Sequence, residues 1–330
     1  IDNCTLNMKQ RTFEKAHQQQ WEDLERWLSH LEQPKKQKQA NSGQFPQLYR
    51  QVCQHLAVAR DRHYTPHLVE RLNRLVLRGH QHLYQTKTGL TAKIIHFILA
   101  DFPQRVRQEW RLVGLSSLLF FGPLLTIFIS IQINPALVYS LLDKEQVNMI
   151  ESMYNPAVER LGRNREADSD FEMFGFYIQH NISIDFQTFA GGILFGIGTL
   201  FFLLFNGLYI GCIAGHLVHV GYSEPFFSFV AGHSSFELIA IVLAGATGLK
   251  LGMALIAPRR LTRLQALRHA ANHSVYLIYG IIGLSVLAAF LEAFWSSSMA
   301  LDPLIKYSVG GTLWLLLISY FLLVGRNRAT

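Results

Sequence analysis

The sequence predicts an all-α protein: a polytopic helical membrane bundle preceded by a cytoplasmic helical domain. Three observations carry that reading. Between Asp185 and Glu224 there is no Lys, Arg, Asp or Glu. A helix rises about 1.5 Å per residue and the hydrocarbon core is about 30 Å thick, so one span takes roughly 20 residues and this run is too long for one. Other apolar runs lie at about 112–133, 235–257, 272–294 and 307–325. Charge, finally, is segregated: residues 1–111 hold 18 Lys/Arg and 10 Asp/Glu, a balance of 18 − 10 = +8 against +7 for the whole chain, with no apolar run of span length.

The expected organisation is an extension at 1–7 ahead of Met8, a cytoplasmic helical domain at 8–111, and a transmembrane domain at 112–330 with an outside loop at 134–186. In 9–31, Phe13, Trp21, Leu24, Trp27, Leu28 and Leu31 recur at three- and four-residue spacing, which is an amphipathic helix. The polar, Pro- and Gly-containing stretch 33–44 reads as a linker. A second helix at 46–62 shows Leu48, Val52, Leu56 and Ala59 on one face. A third opens at Thr65-Pro66, with Thr65 as N-cap, and offers Leu68, Leu72, Leu75 and Leu83. No apolar signal segment occurs in the first 90 residues, so the N-terminus is expected in the cytoplasm. Ile94–Leu99 is too short to span and reads as an interfacial segment, with Trp110 at the lipid boundary. Pro123 within the first span is tolerable if neighbours satisfy the freed carbonyl.

The loop 134–186 carries four Lys/Arg against nine Asp/Glu, which places it outside. Within it, 142–160 reads as a helix ended by Gly162 and 170–185 as an in-plane segment. The central stretch contains Asn206-Gly207, a strong turn dipeptide, and is expected to fold there into two crossings, 186–205 and 208–222. Two crossings put Arg259, Arg260, Arg263, Arg268, Arg326 and Arg328 on the cytoplasmic side, giving six spans; one crossing would give five, with those arginines outside.

Candidate functional residues are few. Small residues keep four-residue spacing at Gly192/Gly196, Gly207/Gly211/Gly215 and Gly248/Gly252, which suits close helix packing, or the wall of a narrow conduit. His233 and Glu237 share a helix face within an apolar run, and an ionisable group there marks either a function or a buried partner. His216 and His219 sit at the end of the preceding segment, at a depth that would bring them near His233, while Lys250 can snorkel to the cytoplasmic interface. No spacing supports a metal site, and Cys4, Cys53 and Cys212 are too scattered for one. No nucleophile elbow, Walker loop or H-E-x-x-H occurs, so neither an enzyme nor a cofactor is expected, and no nucleic-acid motif accompanies the basic segment. Arg60, Arg62, Arg71, Arg74 and Arg78 form either a solvated face or a docking face for a partner.

Four stretches, MKQRTFEKAHQQQWEDLERWL (8–28), 45–85, FAGGILFGIGTLFFLLFNGLYIG (189–211) and AGHSSFELIAIVLAGATGLKLG (231–252), together resemble the stage II sporulation protein M family of bacterial membrane proteins. The matching positions are Asn206, Gly207, Gly211, His233, Glu237, Gly248 and Gly252; His233-Ser234 stands where the family commonly has His-Gly. The resemblance implies a multipass protein of the bacterial cytoplasmic membrane that scaffolds peptidoglycan-degrading partners. The long N-terminal arm is similar to that of the non-sporulating branch, often encoded beside MoxR-type AAA+ ATPases. The expected function is therefore a non-enzymatic scaffold or assembly factor in a cell-envelope complex. Its expected partners are the lipid bilayer, a cytoplasmic ATPase, an envelope enzyme and a second copy of the chain. The alternative is a transporter or channel with a cavity near Asn206, His233 and Glu237.

Overall fold

The computed structural model describes residues 9–32, 45–84, 90–157, 170–298 and 301–326, helical with no strand among them, and divides into two compact units, 1–90 and 91–330. The extension 1–7, the linker 33–44, Gly162 and Arg328 lie outside the described residues.

The first unit contains α1 (Gln10–Glu32), α2 (Phe45–Asp61) and α3 (Pro66–Tyr84). The stripes expected from spacing meet in one core: Trp21, Leu24 and Leu28 from α1, Val52, Leu56 and Ala59 from α2, and Leu68, Leu72 and Leu75 from α3. Burying a leucine side chain contributes about 1.5–3 kcal/mol, and helices of this length are marginal alone, so this core holds the three together. The Gln10 side chain pins the start of α3: its Nε2 donates to Thr65 Oγ1 at 2.8 Å and its Oε1 accepts from Thr65 N at 3.1 Å. Arg71 lies 3.7 Å from Glu25 and over the Trp21 ring, and Arg60 donates to Asn73, so these two candidate docking arginines brace the unit itself.

His55 makes this unit acid-sensitive. Trp21 Nε1 donates to its Nδ1 at 3.1 Å, which requires that nitrogen unprotonated, and the His17 ring lies 4.0 Å away, centroid to centroid. Burial first, then the charge of His17, lower its pKa from 6.5 to about 4. The folded value lies below the unfolded one, so the unfolded chain binds more protons between the two. Stability is full above about pH 6.5 and is lost as pH falls towards 4. Discounted for solvent screening of a half-exposed ring, the expected loss is about 1–2 kcal/mol. Hydrogen exchange of α1–α3 in the full chain, corrected for its intrinsic pH dependence, should show the loss between pH 7 and 4.5. A His55→Phe protein should not show it; an equal loss in that variant removes His55 as the cause.

The second unit begins with α4 (Leu90–His96), a π-turn at Phe97–Asp101 and α5 (Phe102–Gln108). Ile94, Ile95, Ile98 and Leu99 are exposed there, as an interfacial segment requires. Phe102 and Val106 pack into a core with Leu277, Ile281 and Leu284, so 91–111 belongs with the membrane bundle and the unit boundary lies some twenty residues before the one that the sequence suggests. Then come α6 (Trp110–Ile133), α7 (Lys144–Tyr154), α8 (Asp170–Ala190), α9 (Ile197–His219), α10 (Ser223–Ile256), α11 (Arg263–Leu291, extended by a π-turn to Ser296) and α12 (Pro303–Leu323). Five of these, α6, α9, α10, α11 and α12, are long and apolar enough to cross a membrane. Pro123 does not interrupt α6.

Two expectations are corrected. The chain does not fold at Asn206-Gly207: α9 runs unbroken through both, and Asn206 Nδ2 donates to Phe202 O of its own helix at 2.8 Å. A turn at that depth would strip backbone groups of partners with no water to replace them, so a dipeptide preference that holds for aqueous turns is overruled in lipid. The reversal comes earlier, at 191–196. There Phe195 (φ 55°) and Gly196 (φ 82°) adopt left-handed backbone, a conformation glycine takes at little cost. Residues 170–186, moreover, are not loop but most of α8. Its buried face is Tyr177, Asn181, Asp185 and Thr188, spaced about one helical turn apart, while Phe171 and Phe186 point outwards. The polar stripe depresses the average hydropathy of the segment, yet it faces neighbouring helices.

The ends of the second unit differ in charge. The turn 191–196 lies against Gly248 and Gly252 near the end of α10, with Arg263 over the Phe195 ring. Arg107 donates to Phe321 O at the end of α12. Arg105, Arg107, Arg111, Arg259, Arg260, Arg263, Arg268 and Arg326 therefore gather at one end. At the other lie α7 and the starts of α8, α10 and α12, with Asp143, Glu145, Glu151, Asp170, Glu172, Glu224 and Asp302.

Candidate intramembrane site

Glycine sets how closely the helices stand. At Gly207 and Gly211 a side-chain carbon would collide with the Phe120 and Leu124 carbonyls of α6, and at Gly215 it would crowd Phe128. At Gly192 it would collide with the Gly248 carbonyl, and at Gly252 with the Gly196 backbone, so two rows of four-residue spacing are matched to each other. Thr199 Oγ1 donates to Thr188 O at 2.7 Å and lies against Gly248. Ser116 Oγ crosses from α6 to the Val242 carbonyl of α10 at 2.7 Å, beside Gly245. Backbone-to-backbone contact thus joins α6 to α9 from its middle towards the acidic end, and the 191–196 turn to α10 at the arginine-rich end. Of the two roles that the glycine spacing allows, these rows serve helix packing within the unit.

The acidic half is more open. A cavity of about 960 Å³ is bounded by α7, α8, the later half of α9, the first half of α10 and the start of α12, and both His233 and Glu237 line it; Asn206 does not. His233 is buried, its Nδ1 paired with Ser296 Oγ at 2.9 Å and its Nε2 3.8 Å from Glu237 Oε2, beyond hydrogen-bonding distance. Lys306, fully buried, donates to the Ser296 carbonyl at 2.9 Å. Glu237 also lies within electrostatic reach of Asp185, whose Oδ2 accepts from Ser285 Oγ at 2.5 Å. A series of polar groups thus runs through α12, α11, α10 and α8, hydrogen-bonded at Lys306–Ser296, Ser296–His233 and Ser285–Asp185 and interrupted on either side of Glu237. Ser296 closes the π-turn Glu292–Ser296, a local widening of the helix that recurs at functional sites.

Asn181, Asp185, Ser285, Ser296 and Lys306 are not among the candidates that motif and spacing pick out. In the sequence Asp185 marks only the edge of an apolar run. The available signal is the recurrence of Tyr177, Asn181, Asp185 and Thr188 on one face between phenylalanines, an inward polar stripe rather than a loop. Both amide atoms of Asn181 and Asp185 Oδ1 are buried and have no hydrogen-bond partner among the described residues.

Other candidates are dispersed. His216 Nε2 pairs with Glu151 of α7 at 2.8 Å. It lies three residues from the end of α9, whereas His233 lies ten residues into α10, a depth difference on the order of 10 Å. The expected approach of His216 to His233 is therefore corrected: two helices joined by a short turn meet at their ends, and residues at unequal distances from the turn do not come level. His219 is exposed. Among the described residues, no three His, Cys, Asp or Glu converge as a metal site. Lys250 pairs with Glu109 at the start of α6 at 2.5 Å, both side chains largely buried, instead of reaching freely to the interface. Arg62 reaches the Tyr64 hydroxyl, and Arg74 is exposed.

A family model described as Stage II sporulation protein M matches residues 116–297, and one described as Domain of unknown function (DUF8413) matches residues 11–85. The first covers most of α6 to the end of α11, including every residue of the polar series except Lys306; the second covers most of the three-helix unit. No curated protein and no solved structure matches the chain.

Proposed function

The chain belongs to the stage II sporulation protein M family, as a polytopic protein of the bacterial cytoplasmic membrane, and from that premise we propose that it is a non-catalytic scaffold in a cell-envelope complex that remodels peptidoglycan. The observation that carries this reading is the backbone-to-backbone packing at Gly192, Gly196, Gly248 and Gly252. Helices in such contact hold one geometry and leave no room for a solute between them. A permease reading draws on the cavity at His233 and Glu237, but that cavity stops short of the glycine contacts, and Asn206 takes no part in it. In the scaffold reading the three-helix unit is the cytoplasmic docking element, with exposed Arg74 on its surface, and the acidic end of the bundle faces an envelope enzyme.

Full-length tagged protein, extracted from its native membrane in mild detergent, should co-purify a cytoplasmic AAA+ ATPase or a peptidoglycan hydrolase in near-stoichiometric amount. Charge reversal at Arg74 should weaken ATPase recovery without changing extraction of the tagged chain. Recovery of neither class of partner from cross-linked membranes would count against the scaffold reading.

A further inference from the structure

We propose that the cavity beside Glu237 binds a lipophilic organic cation, with the Glu237 carboxylate as its counter-ion. The inference is independent of the scaffold reading and would stand if no envelope partner were found. The cavity, at about 960 Å³, is of the size that small organic ligands occupy.

Its wall is aromatic in a continuous way. Tyr154 meets Phe226 and Phe229 edge to face, with ring centroids 5.2 and 5.7 Å apart, and Phe229 meets His233 at 5.2 Å, one helical turn from Glu237. Aromatic faces attract cations, most strongly where water is excluded. The formal charges add to this. Glu237 lines the cavity, and the basic groups among the described lining residues are the imidazoles of His180 and His233, with no Lys or Arg, so an anionic ligand meets no fixed positive charge on that wall.

Glu237 itself lacks a satisfying partner among the described residues. No donor among the described residues lies within hydrogen-bonding distance of its carboxylate, His233 Nε2 at 3.8 Å being too far, and its side chain, about a fifth exposed, lines the cavity. A carboxylate so placed is costly in a membrane protein unless it takes up a proton or a positive charge joins it. Apolar walls alone would suit an acyl chain; aromatic walls with the Glu237 carboxylate and no Lys or Arg among the described lining residues select a greasy molecule with one positive charge. That charge could come from a free solute or from an aminophospholipid of the bilayer.

Tetraphenylphosphonium is the probe, measured by equilibrium dialysis on the full chain in nanodiscs of phosphatidylcholine and phosphatidylglycerol. Saturable one-to-one binding is expected. Glu237→Gln should weaken it at least tenfold, and Val230→Trp, which adds bulk to the cavity wall about two helical turns from Glu237, should do the same. Uncharged triphenylphosphine oxide should not bind comparably. Absence of saturable binding, equal binding of the uncharged probe, or unchanged affinity in either folded variant would overturn the proposal; should Glu237→Gln fail to fold, the uncharged probe and Val230→Trp decide it. Adding phosphatidylethanolamine to the discs separates the sources: weaker binding assigns the site to the bilayer's aminophospholipid, unchanged binding to a free solute.

Discussion

Gly248→Leu is expected to leave no folded bundle. The position faces Thr199 Oγ1 and the carbonyls of Thr188 and Phe189, all too close for a side-chain carbon, while the Gly248 carbonyl itself lies against Gly192. Overpacking a core costs about 1–3 kcal/mol where side chains can shift. Here the obstacles are mostly backbone held by α8 and the 191–196 turn, so the cost should exceed about 3 kcal/mol, a large part of the roughly 5–15 kcal/mol that holds a typical protein folded. Gly114→Ala and Gly311→Ala are the controls. A side-chain carbon there meets nothing within 4 Å, and alanine favours helix over glycine by up to about 1 kcal/mol. The readouts are the monodisperse fraction after detergent extraction and the melting temperature. A Gly248→Leu protein that extracts and melts like the wild type would show that the helix contact at this position is not close.

The second large effect is one of sidedness. In a chain whose native cysteines are replaced by alanine, Phe195→Cys and Thr262→Cys should resist a membrane-impermeant maleimide in whole cells and react in inverted vesicles. Ala136→Cys should do the reverse. The reason lies in the charge of the two ends. Arginines of the α5–α6 junction, the α10–α11 connection and the α12 terminus share an end with the 191–196 turn, and such clusters stay in the cytoplasm. This outcome requires α8 to act as a sixth crossing beside the five apolar helices, bringing the chain back before α9 leaves again. Labelling of positions 195 and 262 from outside would remove the sixth crossing if position 136 is labelled from outside as well, and the cytoplasmic N-terminus if it is not.

Much of the fold is legible in the sequence. Periodicity places Trp21, Leu24, Leu28, Val52, Leu56, Leu68, Leu72 and Leu75 in one core because a solvated helix has one apolar face and must bury it. The four-residue glycine rows announce close helix contacts, and His233 with Glu237 stands out because ionisable groups are rare among such neighbours. The two departures share a cause. Turn chemistry valid in water misplaces the reversal at Asn206-Gly207. Average hydropathy misplaces 170–186, because it does not tell an inward polar stripe from a solvated loop. In both places the deciding quantity is which groups stand opposite: Phe202 O for Asn206, Ser285 for Asp185.

Composition and spacing by themselves determined that this chain is helical, polytopic and charge-segregated, since those properties follow from local transfer energies and from period. Only the tertiary structure decided where the chain reverses, which polar groups share the interior, and that a cavity opens beside Glu237 rather than at Asn206. Those depend on contacts between residues far apart in sequence, whose energies no local pattern contains.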